Sequence, residues 1–292
     1  MRFRFSSRYR IIFLILALAN VWVRPIALAQ VAVRLEPRAV IEKRLKSFAD
    51  DDDRREEIIH RLLAQSGCEK GKLSEKPVRA DLPPNVFCAL PGETPEVILV
   101  GAHTDKVEAG EGVVDNWSGA SLLPSLLFSL NGQRRHHTFI FVGFAAEEKG
   151  MVGSASYAEH LTPEQRARIQ AMVNMDSLGL APTEVWASHA DKTLLDALFT
   201  VAAQTRLPVS ILNVDGLGST DSESFASYHI PRITLHSVTP QTMKLLHSPG
   251  DTIAAIKMDD YYDSYRLIAE YLAYLDDVLV PATLPAGTKA AN

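Results

Sequence analysis

The sequence predicts an α/β fold, a three-layer αβα sandwich with a central, mostly parallel mixed sheet. Short apolar segments alternate with longer amphipathic segments over most of the 292 residues, which is typical of this architecture. The apolar fraction of 47% and the charged fraction of 22% are ordinary globular values, so a wholly disordered chain is excluded. The interior has no apolar stretch of membrane-spanning length, so no internal transmembrane helix is expected.

The local signals place the elements along the chain. The acidic run at residues 50–53 breaks and caps the first helical segment, and Thr162 followed by Pro163 starts another. Pro124 would kink its helix unless it falls in the first turn. Helices are predicted over residues 38–66, 118–130, 152–170 (in two pieces), 191–204 and 259–279. Strands, marked by apolar runs between turn signals, are predicted over 85–89, 96–101, 138–144, 172–175, 184–187, 209–212 and 233–235.

The N-terminus has the pattern of a secretory signal peptide. A basic segment precedes an apolar stretch at residues 11–23, and Ala27 and Ala29 are the small residues expected before a cleavage site. We therefore expect cleavage between Ala29 and Gln30 and a secreted or periplasmic protein with no stable membrane insertion after cleavage. An uncleaved membrane anchor is the alternative.

Three segments follow from this pattern: a signal peptide at 1–29, one large domain at 30–280 and a loose Pro/Ala-rich tail at 281–292. The formal charge is −5, but residues 1–29 contain five arginines and no acid. The remaining 25 basic and 35 acidic residues give a net charge of −10. Such an acidic chain is a poor binder of a phosphate backbone, so no nucleic-acid partner is expected, whereas cations would be attracted.

Cys68 and Cys88 are the two cysteines of the chain. Because export leads to an oxidising compartment, we favour a disulfide between them, with two buried free thiols as the alternative. A bridge that closes this short loop would stabilise the fold by about 3 kcal/mol. Two cysteines are too few for a four-thiolate metal site.

Acidic and imidazole side chains follow five of the predicted strands or loops. They are His103 and Asp105, Asp115, Glu147 and Glu148, Asp176, and His247. Taken singly, each has an ordinary explanation: a surface histidine, a helix cap, an acidic first turn or a turn-forming aspartate. Asp251, which follows His247, is interpreted as the cap of the next helix.

Taken together, these residues predict one metal site. Ligands of such sheets gather at the carboxyl ends of the strands, where the clusters lie. A mixture of imidazole and carboxylate groups suits zinc, and a carboxylate can bridge two ions. Adjacent Glu147 and Glu148 would repel each other unless a cation intervened; one could then bind the ion while the other accepted a proton from water.

The order of the motifs resembles a known family. His-x-Asp at His103, Asp-Asn-x-Ser-Gly at Asp115, Glu-Glu at Glu147, Asn-x-Asp ending at Asp176 and His-Ser-x-x-Asp-Thr at His247 are, as a set, highly specific. The chain resembles, over roughly residues 80–280, the bacterial leucyl-type zinc aminopeptidases, a family with glutamate-carboxypeptidase-like and glutaminyl-cyclase-like relatives. The resemblance implies a zinc-exopeptidase domain over 30–280.

The resemblance also implies a role for each residue. His103 and Asp176 would bind one divalent ion, Glu148 and His247 a second, and Asp115 would bridge the two, with zinc as the expected metal. Glu147 would be the general base, and Asp105 would orient His103. The peptide bond between Asp115 and Asn116 is expected to be cis.

The implied activity is that of a two-metal aminopeptidase, a hydrolase that acts on peptides with a free N-terminus. Glu147 would take a proton from the attacking water and deliver it to the leaving amine. The products would be a free amino acid and a shortened peptide. The sequence predicts neither the preferred side chain nor an oligomeric state.

The chain departs from its relatives at one stretch. Relatives commonly show Ser-Asp-His, whereas this chain has Thr220-Asp221-Ser222, and Leu217 stands where well-known members have an oxyanion-stabilising tyrosine. Ser219 and Thr220 are the neighbouring hydroxyl groups. Among the other histidines, His136 and His137 are expected at the surface, and His236 is interpreted as structural.

Three other functions stay open at this point. A glutaminyl-peptide cyclotransferase on the same fold would use one zinc and release ammonia from an N-terminal glutamine. A metal-dependent carboxypeptidase or deacylase shares a similar ligand order but usually inserts a lid domain, for which a mature chain of 263 residues leaves little room. The third is a non-catalytic exported binding protein.

Overall fold

An eight-stranded mixed sheet forms the centre of the computed structural model, which describes residues 33–216 and 218–279. Its strands, in chain order, are β1 Leu73–Lys76, β2 Asn85–Leu90, β3 Val97–His103, β4 Thr138–Phe144, β5 Ile169–Met175, β6 Thr183–Val185, β7 Val209–Ile211 and β8 Arg232–His236. The spatial order is β1-β2-β4-β3-β5-β8-β6-β7. The four central strands β4, β3, β5 and β8 run parallel. β1 and β2 continue the sheet antiparallel on one side. On the other side, β6 pairs antiparallel with β8 and parallel with β7.

Helices cover both faces of the sheet. They are α1 Arg38–Leu45, α2 Asp52–Gln65, α3 Ser118–Ala120, α4 Leu123–Leu130, α5 Val152–His160, α6 Pro163–Arg168, α7 Lys192–Thr205 and α8 Met258–Val278. Short 3₁₀ segments lie at Ala187–His189, Asp221–Tyr228, Met243–Leu245 and Ile253–Ala255. The predicted three-layer α/β fold with a mixed, mostly parallel sheet is confirmed.

Alternation along the strands separates the two layers of core. Ile98 and Val100 of β3 face the larger core, which is shared with α1, α2, α4, α7 and α8, whereas Leu99 between them faces the opposite side. The smaller core on that side contains Tyr157 of α5 and Phe225 of the segment Asp221–Tyr228. Because both faces are covered, most residues of the central strands are buried, and most of them are apolar.

Several local predictions are confirmed, and some boundaries differ. Pro124 lies in the first turn of α4, where a backbone N–H would have no partner within the helix, so its missing N–H costs no hydrogen bond. Asp51 caps α2 by accepting a hydrogen bond from Arg54 N at 3.0 Å. The second piece of the helix predicted over 152–170 ends at Arg168, because residues 169–170 already belong to β5. β1 was not predicted, since its four residues are mostly exposed and polar.

Two side-chain predictions have opposite outcomes. Cys68 and Cys88 form a disulfide with a Cα–Cα distance of 6.0 Å, as expected. The surface position expected for His137 is wrong: its ring is 1% exposed and lies 3.0 Å from a carboxylate oxygen of Asp276. The histidine was placed at the surface because its partner lies 139 residues away on α8.

Within residues 33–216 and 218–279, none of the helices has both the length and the apolarity needed to cross a bilayer. The predicted signal peptide and C-terminal tail, and Leu217, lie outside these residues. The segment boundaries at 29 and 281 therefore stay predictions.

Candidate metal centre

The carboxyl ends of three parallel strands meet at one edge of the sheet. His103 is the last residue of β3, Asp176 directly follows β5, and Glu147 and Glu148 follow β4 by three and four residues. Asp115 joins them from the turn Val113–Trp117, and His247 from the loop after Met243–Leu245. The structure brings all five predicted ligands together, and Glu147 lines the adjoining pocket.

Asp115 lies between the two histidines. Its Oδ1 is 3.1 Å from Nε2 of His103, and its Oδ2 is 3.2 Å from Nε2 of His247. Nε2 of His103 is also 3.8 Å from Asp176, and Nε2 of His247 is 3.0 Å from Glu148. The polar atoms therefore form two groups, His103 with Asp176 and His247 with Glu148, which share the two oxygens of one carboxylate.

Asp105 connects two of these strand ends. One oxygen of its carboxylate lies 3.5 Å from Nδ1 of His103 and accepts a hydrogen bond from the backbone N–H of Glu147 at 3.0 Å. The other accepts from the N–H of Glu148 at 3.1 Å. Asp105 thus contacts the ring nitrogen of His103 that faces away from Asp115 and also holds the Glu-Glu loop.

The peptide bond between Asp115 and Asn116 is cis, as expected. Asn116 is fully buried: its side-chain amide donates to Met175 O at 2.8 Å, and its Oδ1 accepts from the N–H groups of Gly119 and Ser177. A β-carbon on Gly119 would lie 2.6 Å from that oxygen, so the motif requires glycine there. Asn116 therefore ties the Asp115 turn to the end of β5.

The role expected for Asp251 as a helix cap is wrong. Its carboxylate, 2% exposed, accepts from the N–H groups of Val114 at 2.7 Å and Asp115 at 3.0 Å. Asp251 thus holds the backbone of the Asp115 turn in place. The sequence placed it four residues after His247 but gave no sign of this contact, which joins residues 136 positions apart.

The site concentrates charge away from water. Burial on its own lowers the pKa of His103, but ion pairs with Asp105, Asp115 and Asp176 reverse this and raise the pKa well above its usual value. Conversely, burial would raise the pKa of Asp115, yet hydrogen bonds from His103 and His247 bring it below the usual range. The imidazole rings of His103 and His247 thus favour the ionised form of Asp115.

The pKa values of the two glutamates are raised, whereas that of Asp115 is lowered. Burial raises the pKa of Glu147 to about 9, with Asp221, Asp176 and Asp115 adding to the effect and His103 opposing it. Burial and Asp115 raise the pKa of Glu148 to about 7. A nearby dication favours the ionised form of such groups. Binding of a divalent cation would therefore lower the pKa values of Glu147 and Glu148, which the two imidazoles leave raised.

The donor set fits metal ions. One ligand atom each from His103, Asp115 and Glu148 lie within 4.8 Å of one another. Oε1 of Glu148 is buried without a hydrogen-bond partner among the described residues, although buried polar atoms are normally paired. Imidazole and carboxylate groups together are the ligands of zinc and similar transition metals.

A cavity of about 480 Å³ opens from this cluster. Its lining includes the carboxylates Asp115, Glu147, Glu148 and Asp176. Apolar side chains also line it, namely Met151, Trp186, Val214, Val238, Met243 and Leu246, together with the polar Ser177, Ser219, Thr220, Thr234 and His236. A ligand with a cationic group and an apolar side chain would match the carboxylates and the apolar residues of this lining.

The stretch that departs from the family pattern lies beside the cavity. Thr220 accepts from Asn174 and donates to Oδ2 of Asp176, both at 2.6 Å, so its hydroxyl is engaged. Ser222, in place of the usual histidine, pairs with Thr234 at 2.8 Å. His236 lines the cavity, but Nε2 donates to Leu212 O and Nδ1 accepts from Val238 N, which agrees with its structural interpretation.

The fold and this cluster define an α/β protein with a candidate metal centre at the carboxyl edge of its sheet. A family model described as Peptidase family M28 matches residues 85–272. The chain belongs to that family.

Curated relatives agree with this assignment, and solved structures share the fold. The chain is 31% identical over 230 residues to leucine aminopeptidase 2 of Trichophyton equinum, which covers 69% of this chain and 46% of that protein. The fold matches BSAP, a zinc aminopeptidase from Bacillus subtilis, with a TM-score of 0.60, 23% identity and coverage of 65% of this chain and 49% of that one. It also matches an Acidobacteriales bacterium glutaminyl cyclase with a TM-score of 0.69 and 16% identity, over 85% of this chain and 97% of that one. The chain spans less than half the length of the first curated relatives it matches.

Proposed function

We propose that the chain is a secreted or periplasmic aminopeptidase that removes N-terminal residues from peptides with the help of two divalent ions, with zinc as the expected metal. The observation that carries the proposal is Asp115, whose two oxygens face the imidazoles of two different ligand groups. His103 and Asp176 would hold one ion and Glu148 and His247 the other, with Asp115 shared. The names of its family relatives support the same activity.

The residues divide the reaction between them. Bound divalent ions supply Lewis acidity, which makes a water more acidic and a peptide carbonyl more electrophilic. The carboxylate of Glu147 accepts the proton of the attacking water and donates it to the leaving nitrogen. Asp105 holds the Nδ1 side of His103, so that Nε2 points towards Asp115 and Asp176.

The cavity defines the substrate. The ammonium of a free peptide N-terminus is attracted to the carboxylates of the lining, and the first side chain lies against the apolar wall that includes Trp186 and Met243. Acetylation of the N-terminus removes the charge, and an acidic first side chain would place a carboxylate on an apolar wall. We therefore expect a preference for unblocked substrates with an apolar first residue.

A panel of aminoacyl reporter substrates tests this proposal. The purified chain is assayed on leucyl, phenylalanyl and glutamyl reporters, each with a free and an acetylated N-terminus, before and after chelation and zinc addition. We expect hydrolysis of the free leucyl and phenylalanyl substrates, its loss on chelation and its return with zinc. Failure to hydrolyse any free substrate at saturating zinc, or equal rates on acetylated ones, would refute the proposal.

A glutaminyl peptide, added to this panel, separates two of the three other functions from the proposed one. A glutaminyl peptide that loses ammonia and cyclises, without release of free glutamine, identifies a cyclotransferase. A chain that binds zinc and peptides but converts neither kind of substrate is a non-catalytic binding protein. The Glu-Glu-Lys-Gly sequence from Glu147 to Gly150 and the Asp-Asn-x-Ser-Gly element favour the peptidase branch over the cyclotransferase.

A further inference from the structure

A buried arginine lies behind the candidate metal centre. Arg55 belongs to α2, a helix that precedes the family match at residues 85–272, and it is 0% exposed. Its guanidinium donates four hydrogen bonds: from Nε to Ala49 O at 2.7 Å, from Nη1 to Thr104 O at 3.2 Å, and from Nη2 to Glu111 O at 2.6 Å and Gly112 O at 2.9 Å. Every acceptor is a backbone carbonyl.

Three of these carbonyls belong to the loops that carry the proposed ligands. Thr104 directly follows His103, and Gly112 precedes Asp115 by three residues. The planar guanidinium therefore joins the end of β3 to the Asp115 turn through fixed donor directions. Burial lowers the pKa of Arg55 to about 10, so the group still carries its charge and all its donors at neutral pH.

Neighbouring contacts reinforce the same junction. Asp52, three residues before Arg55 on α2, accepts from Lys106 N at 3.2 Å. Gly112 has a φ of 58°, and a β-carbon there would lie 2.5 Å from Cβ of Lys106 and 3.1 Å from Nη2 of Arg55. The loop thus approaches the guanidinium as closely as a glycine allows.

We propose that Arg55 is a positioning residue of the metal centre, which sets the spacing of His103 and Asp115 by holding the backbone beside each. The proposal rests on the metal-binding part of the proposed function. It also makes α2 a component of the active-site architecture, although this helix lies outside the residues that the family model matches. Loss of a group that orients ligands typically weakens metal binding about 10–100-fold.

The charge of Arg55 makes the test selective. Replacing it by methionine removes a positive charge close to the site, and electrostatics alone would then strengthen the binding of a cation. Weaker zinc binding by Arg55→Met would therefore report lost positioning rather than lost charge. Arg55→Lys keeps the charge, but a lysine ammonium has three donors on a flexible side chain. It cannot reproduce the planar arrangement of donors that makes the four hydrogen bonds of the guanidinium.

Arg44→Met is the matched control. Arg44 is also an arginine of the N-terminal helices, with a side chain only 12% exposed, but its guanidinium contacts Glu36, Ser66 and Ser125 rather than the ligand loops. Its loss leaves Glu36 without its ion partner, so it should lower the melting temperature at least as much as Arg55→Met does.

The experiment measures the zinc Kd of the full chain by competition with a chromophoric chelator, together with melting temperatures with and without zinc. We expect Arg55→Met to raise the Kd about 10–100-fold, Arg55→Lys to raise it less, and Arg44→Met to leave it within about twofold of wild type. The zinc-induced rise in melting temperature should shrink in the same order.

Two results overturn the proposal: an Arg55→Met Kd equal to wild type or tighter, or an equal loss of affinity in Arg44→Met. If Arg55→Met does not fold, Arg55→Lys decides, and a wild-type Kd for that variant overturns the proposal. A wild-type chain that binds no zinc refutes the proposed function instead, so the two failures are distinguishable.

Discussion

Asp115 shows how the chemistry of one residue depends on its neighbours. Each of its oxygens faces a different imidazole, Asp251 accepts from its backbone N–H, and the next residue, Asn116, donates to Met175 at the end of β5. The sequence order predicted which side chains would gather, because they follow successive strands. The supporting contacts could not be predicted, since each joins residues 59 or more positions apart without a local signal.

Glu147→Gln tests the proposed base. The amide keeps the size of the side chain but cannot accept the proton of water, so kcat should fall by about 10²–10⁴-fold. Zinc affinity should change little, because Glu147 is not among the proposed ligands. Steady-state kinetics on a leucyl reporter and chelator competition measure the two quantities.

The control for this substitution is Glu159→Gln, at an exposed position on α5, which should leave kcat unchanged. If Glu147→Gln retains the wild-type kcat, Glu147 is not the base. If it loses zinc together with activity, its role is that of a ligand.

At the scale of elements, the apolar strand β4 and the long amphipathic helix α8 were predicted well. β4 has the predicted bounds, and α8 begins one residue before the predicted helix and ends one residue before its end. β1 was missed because its exposed residues carry no apolar pattern; its position is set by pairing with β2. β6 is displaced from the predicted strand because Ala187–His189 turns into a 3₁₀ segment.

Asp276 links two elements that lie far apart in the sequence. Near the end of α8, it accepts from the N–H groups of His136 and His137, just before β4, and contacts the His137 ring. Burial would raise the pKa of Asp276, but the contacts with His137 and the two N–H groups lower it below its usual value of 3.8. The folded state therefore stabilises the ionised carboxylate.

Asp276→Asn should lower the free energy of unfolding by about 2 kcal/mol at pH 7, because the amide makes weaker hydrogen bonds than the charged group. Since the folded-state pKa is depressed, this contribution is complete above about pH 4 and is lost as the pH falls through the folded value. Melting temperatures from pH 7 to pH 3 should show a gap of about 5 °C that narrows below pH 4.

Asp263→Asn on the same helix is the control, because Asp263 forms a partly exposed ion pair with Arg266 and should matter little. A gap for Asp276→Asn that stays constant or widens on acidification would show that the ionised carboxylate does not stabilise the fold.

At the scale of the molecule, the fold class and the layer count followed from the alternation of segments. The spatial order of the strands could not be predicted in this way, because an apolar pattern indicates a buried strand but not which strands pair with it. β4 lies between β2 and β3, and β8 lies between β5 and β6, which no spacing in the sequence indicates. The site could still be predicted, since any parallel arrangement brings the carboxyl ends to one edge.

The disulfide closes one short loop but adds to the stability of the whole fold, because it limits the freedom of the unfolded chain. It joins Cys68, just after α2, to Cys88 in β2 across a sequence separation of 20 residues. Replacing both cysteines by alanine should reduce stability by about 3 kcal/mol, which corresponds to a fall in melting temperature of roughly 6–12 °C. Activity at 25 °C should persist, because the pocket is lined by other residues.

Reduction of the wild type with a thiol should reproduce the melting temperature of the Cys68→Ala, Cys88→Ala variant, while the reductant should leave that variant unaffected. A melting temperature of the double variant equal to that of the oxidised wild type would mean that the bridge adds nothing to stability.

The central claim is that residues from His103 to His247 form one centre for two metal ions. Anomalous scattering at the zinc edge, from crystals of the zinc-loaded chain, tests it most directly. We expect two peaks about 3.5–4 Å apart on either side of Asp115, one beside His103 and Asp176 and one beside Glu148 and His247. A single peak would contradict the dinuclear account, and zinc bound only elsewhere would contradict the centre itself.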